Sequence, residues 1–348
     1  DAVVAADADT GEIVWSFQTV RHDIFDYDLP GHPLLVDIKK DGELRSVAIQ
    51  YTKMGFIYVF DRLTGEPVFA VTEMDVPASD VEGEIAAETQ PVSTEIATFA
   101  QQTLDRESLF GLTPLGRSWC QKQFDTMRYD GLYTPPSSQG SLLYPSALGG
   151  GNWGGAAYHA ESNLLIVKAS NLATRLKLVP KLGSENVGAS VDYLTRPLKG
   201  TPYNIEGEVF VAPSGAPCTP PPWGTLTAID MDSGEQVWQI PLGQVKRFGM
   251  KSPKSWGSPN IGGPIVTAGD LIFIAAALDE KIHALDIESG EQLWQAKLPV
   301  SGTAVPMTYM GEDGRQYVVI AAGGTERAAT GAYDAIEAFA LPKRLLAD

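Results

Sequence analysis

The sequence predicts an all-β chain built as consecutive blades of a β-propeller. One hairpin motif recurs at the period of a four-stranded sheet, and the composition suits short strands joined by tight turns. The motif is Asp-x3-Gly-x3-aromatic. It reads DADTGEIVW from Asp7 to Trp15, DRLTGEPVF from Asp61 to Phe69, DMDSGEQVW from Asp230 to Trp238 and DIESGEQLW from Asp286 to Trp294. Adjacent copies stand 54 and 56 residues apart, which is one blade. The 35 Gly and 24 Pro supply the turns, and 44% hydrophobic residues suffice for a packed core.

Each copy has the chemistry of a hairpin. An apolar strand such as Ile57-Tyr58-Val59-Phe60 or Ile282-His283-Ala284-Leu285 runs in. The Asp carboxylate caps the turn, Ser or Thr assists, and Gly takes the positive φ that closes it. Glu starts the outgoing strand, and the aromatic returns to bury its ring.

The copies divide the chain. Residues 1–31 are the end of a blade and the loop that follows, and 32–75 form a blade. Residues 76–140 are an insertion, and 141–242 form a blade with a second insertion at 171–222. Residues 263–299 and 303–342 form the last two blades. The final unit lacks the Asp-x3-Gly-x3-Trp ending, and the first has only its closing strands. Four nearly complete blades plus a partial one, with two raw ends, read as part of a larger ring, because open sheet faces and edges need cover. Both insertions are Pro-rich and read as irregular, the kind of long loop that carries function or covers a surface.

A net charge of −17 argues against a nucleic-acid partner, which would need Lys and Arg to neutralise phosphates. No apolar run approaches the ~20 residues of a membrane span, and no leader opens the chain. Cys120 and Cys218 are too few and too far apart for a zinc motif. They could pair in an oxidising compartment or remain two buried thiols.

Three clusters carry candidate chemistry. Arg21-His22-Asp23-Ile24-Phe25-Asp26-Tyr27-Asp28-Leu29-Pro30 sets three carboxylates and a His between two strands. A carboxylate fixed there can act as general base or metal ligand, and a salt-bridged blade corner is the bland reading. Lys53, in Tyr51-Thr52-Lys53-Met54-Gly55, ends an apolar strand and could stabilise a developing oxyanion, where a lone Lys would otherwise snorkel at the surface. Gly149-Gly150-Gly151-Asn152-Trp153-Gly154-Gly155 permits close approach to a flat ligand, with Asn152 as donor and acceptor and Trp153 as a large ring; a strand bulge would look the same.

RHDIFDYDLPGHPLLVDI followed by YTKMGFIYVFDRLTGEP resembles the membrane-type quinoprotein glucose dehydrogenase family, with its quinate and polyol dehydrogenases. The resemblance continues through MRYDGLYTPPSSQGSLLYPSALGGGNWGG and GGPIVTAGDLIFIAAALDEKIHALDIESGEQLW to PMTYMGEDGRQYVVIAAGG, and so covers nearly the whole chain. It implies an eight-bladed ring of which this chain is about the C-terminal half. It implies bound pyrroloquinoline quinone with Ca²⁺ or Mg²⁺, an alcohol, polyol or sugar as substrate, ubiquinone as acceptor and a periplasmic site, with any membrane association lying in an upstream region.

By position, Asp26 matches the family's catalytic base, and possible metal ligand. Lys53 matches the lysine on the quinone oxygens. Asn152 and Trp153 match the cofactor side of the site. Most metal ligands are expected in upstream blades, and a second copy of the chain is the other way to close a ring. The Gly323–Gly331 segment differs from the His- and Gly-rich one of glucose-type members, which weakens glucose as the substrate. The alternative is a non-catalytic propeller, a scaffold or sensor, sharing only the repeat.

Overall fold

The computed structural model describes residues 1–181, 195–247, 250–324 and 331–342. Residues 325–330 of the divergent Gly323–Gly331 segment and residues 182–194 of the second insertion lie outside them. Strands dominate, and each repeat copy closes one antiparallel blade. Ala2–Ala6 pairs with Ile13–Gln18. Leu34–Lys40, Glu43–Tyr51 and Ile57–Asp61 form the next sheet. Its fourth strand is reduced to a bridge between Phe60 and Pro67, since proline cannot donate to a ladder. Ala156–His159, Leu164–Ser170, Gly224–Asp230 and Gln236–Pro241 make a full four-stranded blade. Ile265–Thr267, Leu271–Ile274, Lys281–Asp286 and Gln292–Lys297 make another. Met307–Met310, Gln316–Gly324 and Ala332–Phe339 complete the series with three strands. The inner strand Ala156–His159 lies beside both Leu34–Lys40 and Ile265–Thr267, the arrangement of blades around an axis.

The cores lie between blades, as the period of two in each strand requires. From Leu164–Ser170, Leu165, Val167 and Ala169 pack against Ile38, Val47, Ile49 and Val59 of the preceding blade. Leu164 and Ile166 face the following blade, against Ile272, Ile274 and Leu285.

The repeat turns form as their chemistry predicts. The Asp7 carboxylate accepts from the N–H groups of Asp9 and Thr10 at 3.0 and 2.8 Å and from the Thr10 hydroxyl at 2.9 Å. Asp61 and Asp230 repeat the set. The motif also does something its local pattern does not announce. The Trp15 indole donates to the Arg62 carbonyl at 3.1 Å, and Trp238 donates to the Ile287 carbonyl at 3.0 Å. Each ring lies on the repeat glycine of the next blade. A Cβ on Gly65 would stand 2.5 Å from Trp15 Cδ2, one on Gly290 3.0 Å from Trp238 Cε3, and one on Gly234 3.0 Å from Phe69 Cε1. The last aromatic meets a blade without the motif, and Trp294 stacks edge-on to Phe339 instead, centroids 5.3 Å apart.

The segments expected to be irregular hold structure of their own. Ser141–Leu143, Thr174–Pro180, Tyr203–Val209 and Thr195–Pro197 form a four-stranded sheet outside the blade series. Ser141–Leu143 has three residues, and Thr174–Pro180 and Tyr203–Val209 alternate between more and less buried positions, so they carry no continuous apolar run to announce them. The helix Pro114–Phe124 starts at Thr113, whose hydroxyl accepts from the Gly116 N–H at 3.0 Å. Cys120 on that helix forms a disulfide with Cys218, Cα atoms 5.6 Å apart, which resolves the alternative between a bond and two thiols.

Lys168 is the outlier of the core. It is 1% exposed, and its ammonium meets the Asn260 carbonyl at 3.4 Å. Burial lowers its pKa to about 7.

Two outcomes are expected. Gly11 and Gly65 share a φ of 75°, but no atom lies within 4 Å of a Cβ on Gly11. In this chain Gly65→Ala therefore lowers the thermal midpoint more than Gly11→Ala, the excess being about 1–3 kcal/mol of overpacking; equal losses in calorimetry would refute the docking role. Because the unfolded chain binds a proton that buried Lys168 holds weakly, stability rises with pH from about 7 towards the ordinary lysine range. Lys168→Met should raise the midpoint at neutral pH and flatten that rise, as melting curves across pH will show.

Candidate functional site

The connection between the first two blades places Asp26. Asp23 folds it, its carboxylate accepting from the N–H groups of Phe25 and Tyr27, both at 2.8 Å. Phe25 and Tyr27 are buried, stacked with centroids 5.8 Å apart and edged by Tyr133. The Tyr27 hydroxyl donates to the Pro145 carbonyl at 2.7 Å. With these rings as anchors, the intervening carboxylates turn outward. Asp26 and Asp28 keep 69% and 48% side-chain exposure. Asp26 adopts a left-handed φ of 66°, which Asp tolerates better than most residues.

Lys53 comes from the second blade, two residues beyond the strand Glu43–Tyr51. Its side chain is 7% exposed, and its ammonium donates to Asp28 Oδ1 at 2.5 Å and to the Asp26 carbonyl at 2.8 Å. Asp26 Oδ2 stands further off, at 3.7 Å. The structure thus brings Asp26 and Lys53 together and adds Asp28. Sequence reasoning placed Asp28 in the cluster without giving it a role; its signal was the i, i+2 spacing across a buried aromatic.

The glycine run makes its close approach to protein. Gly150 N–H donates to the Lys53 carbonyl at 2.7 Å. A Cβ on Gly149 would fall 2.5 Å from Lys53 Cγ, and one on Gly151 2.7 Å from Tyr51 Cδ2. The run seats the Asn152 loop on the Lys53 strand end. The Tyr51 hydroxyl, its pKa pushed up to about 12 by burial, donates to the Asn152 carbonyl at 2.9 Å. Within the loop, Asn152 Nδ2 donates to the Leu148 carbonyl at 2.6 Å, and Asn152 Oδ1 accepts from the Trp153 N–H at 2.7 Å. Trp153 is 47% exposed. Asn152 therefore reaches the Lys53 neighbourhood through the glycines, while its amide braces its own loop.

Partial desolvation raises the pKa of Asp26, Lys53 pulls it down, and the charges of Asp28 and Asp23 raise it again, for a net rise. Solvent screening at its exposure limits the rise. A carboxylate held this way accepts a proton readily, and a buried ammonium nearby can receive negative charge. That pairing fits a quinone with anionic groups. Among the described residues no group of three or more His, Cys, Asp or Glu is placed to hold a metal. Among them, too, no helix is long and apolar enough to cross a membrane.

Comparison with known proteins agrees with this architecture. The solved quinohemoprotein alcohol dehydrogenase ADH-IIG from Pseudomonas putida HK5 superposes with a TM-score of 0.59 at 24% identity, over 97% of this chain and 42% of that one. A europium-containing methanol dehydrogenase gives 0.56 at 22% identity, over 93% and 44%. Both show the fold. Sequence relatives are nearer. The quinate/shikimate dehydrogenase (quinone) of Acinetobacter baylyi is 39% identical over 98% of this chain and 44% of its own length. The quinoprotein glucose dehydrogenase of Escherichia coli K12 is 38% identical over 98% and 44%. The glycerol dehydrogenase large subunit of Gluconobacter oxydans is 36% identical over 98% and 49%. The chain spans less than half the length of the curated relatives it matches. The profile of the pyrroloquinoline quinone-dependent glucose/ethanol/alcohol dehydrogenase β-propeller domain matches residues 1–318, and the chain belongs to that family.

Proposed function

We propose that this chain supplies the general base and the cofactor-facing lysine of a quinoprotein dehydrogenase that oxidises an alcohol, polyol or sugar. The observation that carries this reading is the juxtaposition of a solvent-facing Asp26 and a buried Lys53 contributed by separate segments around one mouth. Bound pyrroloquinoline quinone would supply the two-electron acceptor. Asp26 orients the substrate hydroxyl and takes its proton. The Lys53 ammonium would hold the cofactor and stabilise negative charge that develops on it. The Asn152–Trp153 loop, seated on Lys53 by the glycines, would wall the cofactor side. Quinate or a polyol is favoured over glucose as substrate, and ubiquinone as acceptor. A metal, Ca²⁺ or Mg²⁺, would draw its ligands mainly from blades outside this chain.

The ring is completed by such blades. The repeat glycine at position 11 has no aromatic upon it, whereas its counterparts at 65, 234 and 290 do. Val4 of the first blade is more than half exposed, whereas its counterparts Tyr58 and Thr227 are fully buried, and Met307 and Ile336 of the last blade are more than half exposed. These are open faces of the kind that blades cover in one another. The disulfide suits the oxidising periplasm.

In the full-length enzyme Asp26→Asn should reduce turnover by about 10²–10⁴-fold while leaving quinone binding nearly intact; a near-normal rate would discard the base assignment. Lys53→Ala should lower turnover and weaken quinone binding together, and unchanged values of both would remove Lys53 from the cofactor. Because the pKa of Asp26 is raised, kcat/KM should climb with pH through a limb above the ordinary Asp value of about 3.9. A profile flat down to that value would contradict it.

A further inference from the structure

We propose that Asp28 is a positioning residue for the oxidation. It holds the Lys53 ammonium away from the Asp26 carboxylate, which is thereby left open to the substrate hydroxyl. This deepens the proposed function and rests on it.

The argument starts from the cost of a buried ammonium. At 7% side-chain exposure Lys53 needs anionic or carbonyl partners in place of water. Two carboxylates are in range. Asp28 Oδ1 takes the close position at 2.5 Å, and Asp26 Oδ2 is left at 3.7 Å, beyond a hydrogen bond. Had Asp26 held the close position, the ion pair would stabilise its charged form and weaken it as a base. The i, i+2 spacing permits the division of labour. Tyr27 is fully buried between the two residues, and both carboxylates emerge on the Lys53 side, within 3.7 and 2.5 Å of its ammonium. The third carboxylate of the segment does not compete, because Asp23 is committed to the Phe25 and Tyr27 N–H groups. Lys53 also donates to the Asp26 carbonyl at 2.8 Å, which pins the left-handed backbone that aims the base. Asp28 thus acts on the reacting groups through Lys53.

The test is a double-mutant cycle in the full-length holoenzyme with Asp28→Asn, Lys53→Met and both together. Asp28→Asn should lower kcat by about tenfold or more and leave KM within about twofold, because the base and not substrate binding is affected. Quinone affinity of the apo-enzyme, read by fluorescence titration, should be unchanged or tighter, since the ammonium loses a neutralising partner. In the Lys53→Met background Asp28→Asn should add nothing further. Asp28→Glu keeps the charge and should retain more turnover than Asp28→Asn, which separates positioning from misfolding; melting curves of each variant control for the fold. An unchanged kcat, multiplicative losses in the double variant or weakened quinone binding in Asp28→Asn would each overturn the proposal, the last by making Asp28 a direct contact. A near-normal rate for Asp26→Asn would instead remove the base, and the Asp28–Lys53 coupling would still be read in the quinone titration.

Discussion

An aromatic ring laid on a glycine of the next blade is the contact on which this architecture depends. Trp15 on Gly65, Phe69 on Gly234 and Trp238 on Gly290 join successive sheets at the same place. Two of the three are locked by an indole hydrogen bond to the neighbouring backbone. Sheet-on-sheet packing by apolar side chains alone is non-directional. A ring that must sit on a bare backbone patch, with its N–H aimed at one carbonyl, sets the stagger between blades. The glycine thereby meets two demands, the positive φ of its own turn and the flat seat for its neighbour.

The site inherits its geometry from that stagger. Asp26 and Asp28 lie on the connection leaving the first blade, Lys53 on the second, and Asn152 at the entrance to the third. The connection runs into Leu34–Lys40, whose hairpin with Glu43–Tyr51 sets Leu34 opposite Ile49 and so brings Asp28 near Lys53. The 2.5 and 2.8 Å contacts of Lys53 therefore report the hairpin of the second blade, while the approach of Asn152 reports blade placement. The buried aromatics Phe25, Tyr27 and Tyr133 stiffen the connection from beneath. The Gly149–Gly151 run lets the third blade's entry press on the Lys53 strand end with no side chain between.

The electrostatics of the mouth follow from unequal burial of like residues. Lys53 is enclosed, Asp28 is half out and Asp26 is mostly out. The ammonium donates to Asp28 and stands off from the Asp26 carboxylate, whose pKa desolvation raises against the pull of Lys53. Elsewhere Lys168 shows the same physics with a carbonyl partner: its ammonium meets the Asn260 carbonyl, and burial brings its pKa to about 7.

Much of this was legible in the residues themselves. Periodicity determined the blades, since a turn built from Asp, Ser or Thr, and Gly forms from contacts within nine residues wherever it occurs. Clustering exposed the Asp26 segment and Lys53 as places of unusual chemistry, because charged residues interrupt apolar strands only at some cost. The disulfide, the accessory sheet, the seating of Asn152 and the contact between Asp28 and Lys53 were decided by the tertiary structure. Each depends on residues tens of positions apart, and such distances are set by how blades stack, which no local pattern of side chains encodes.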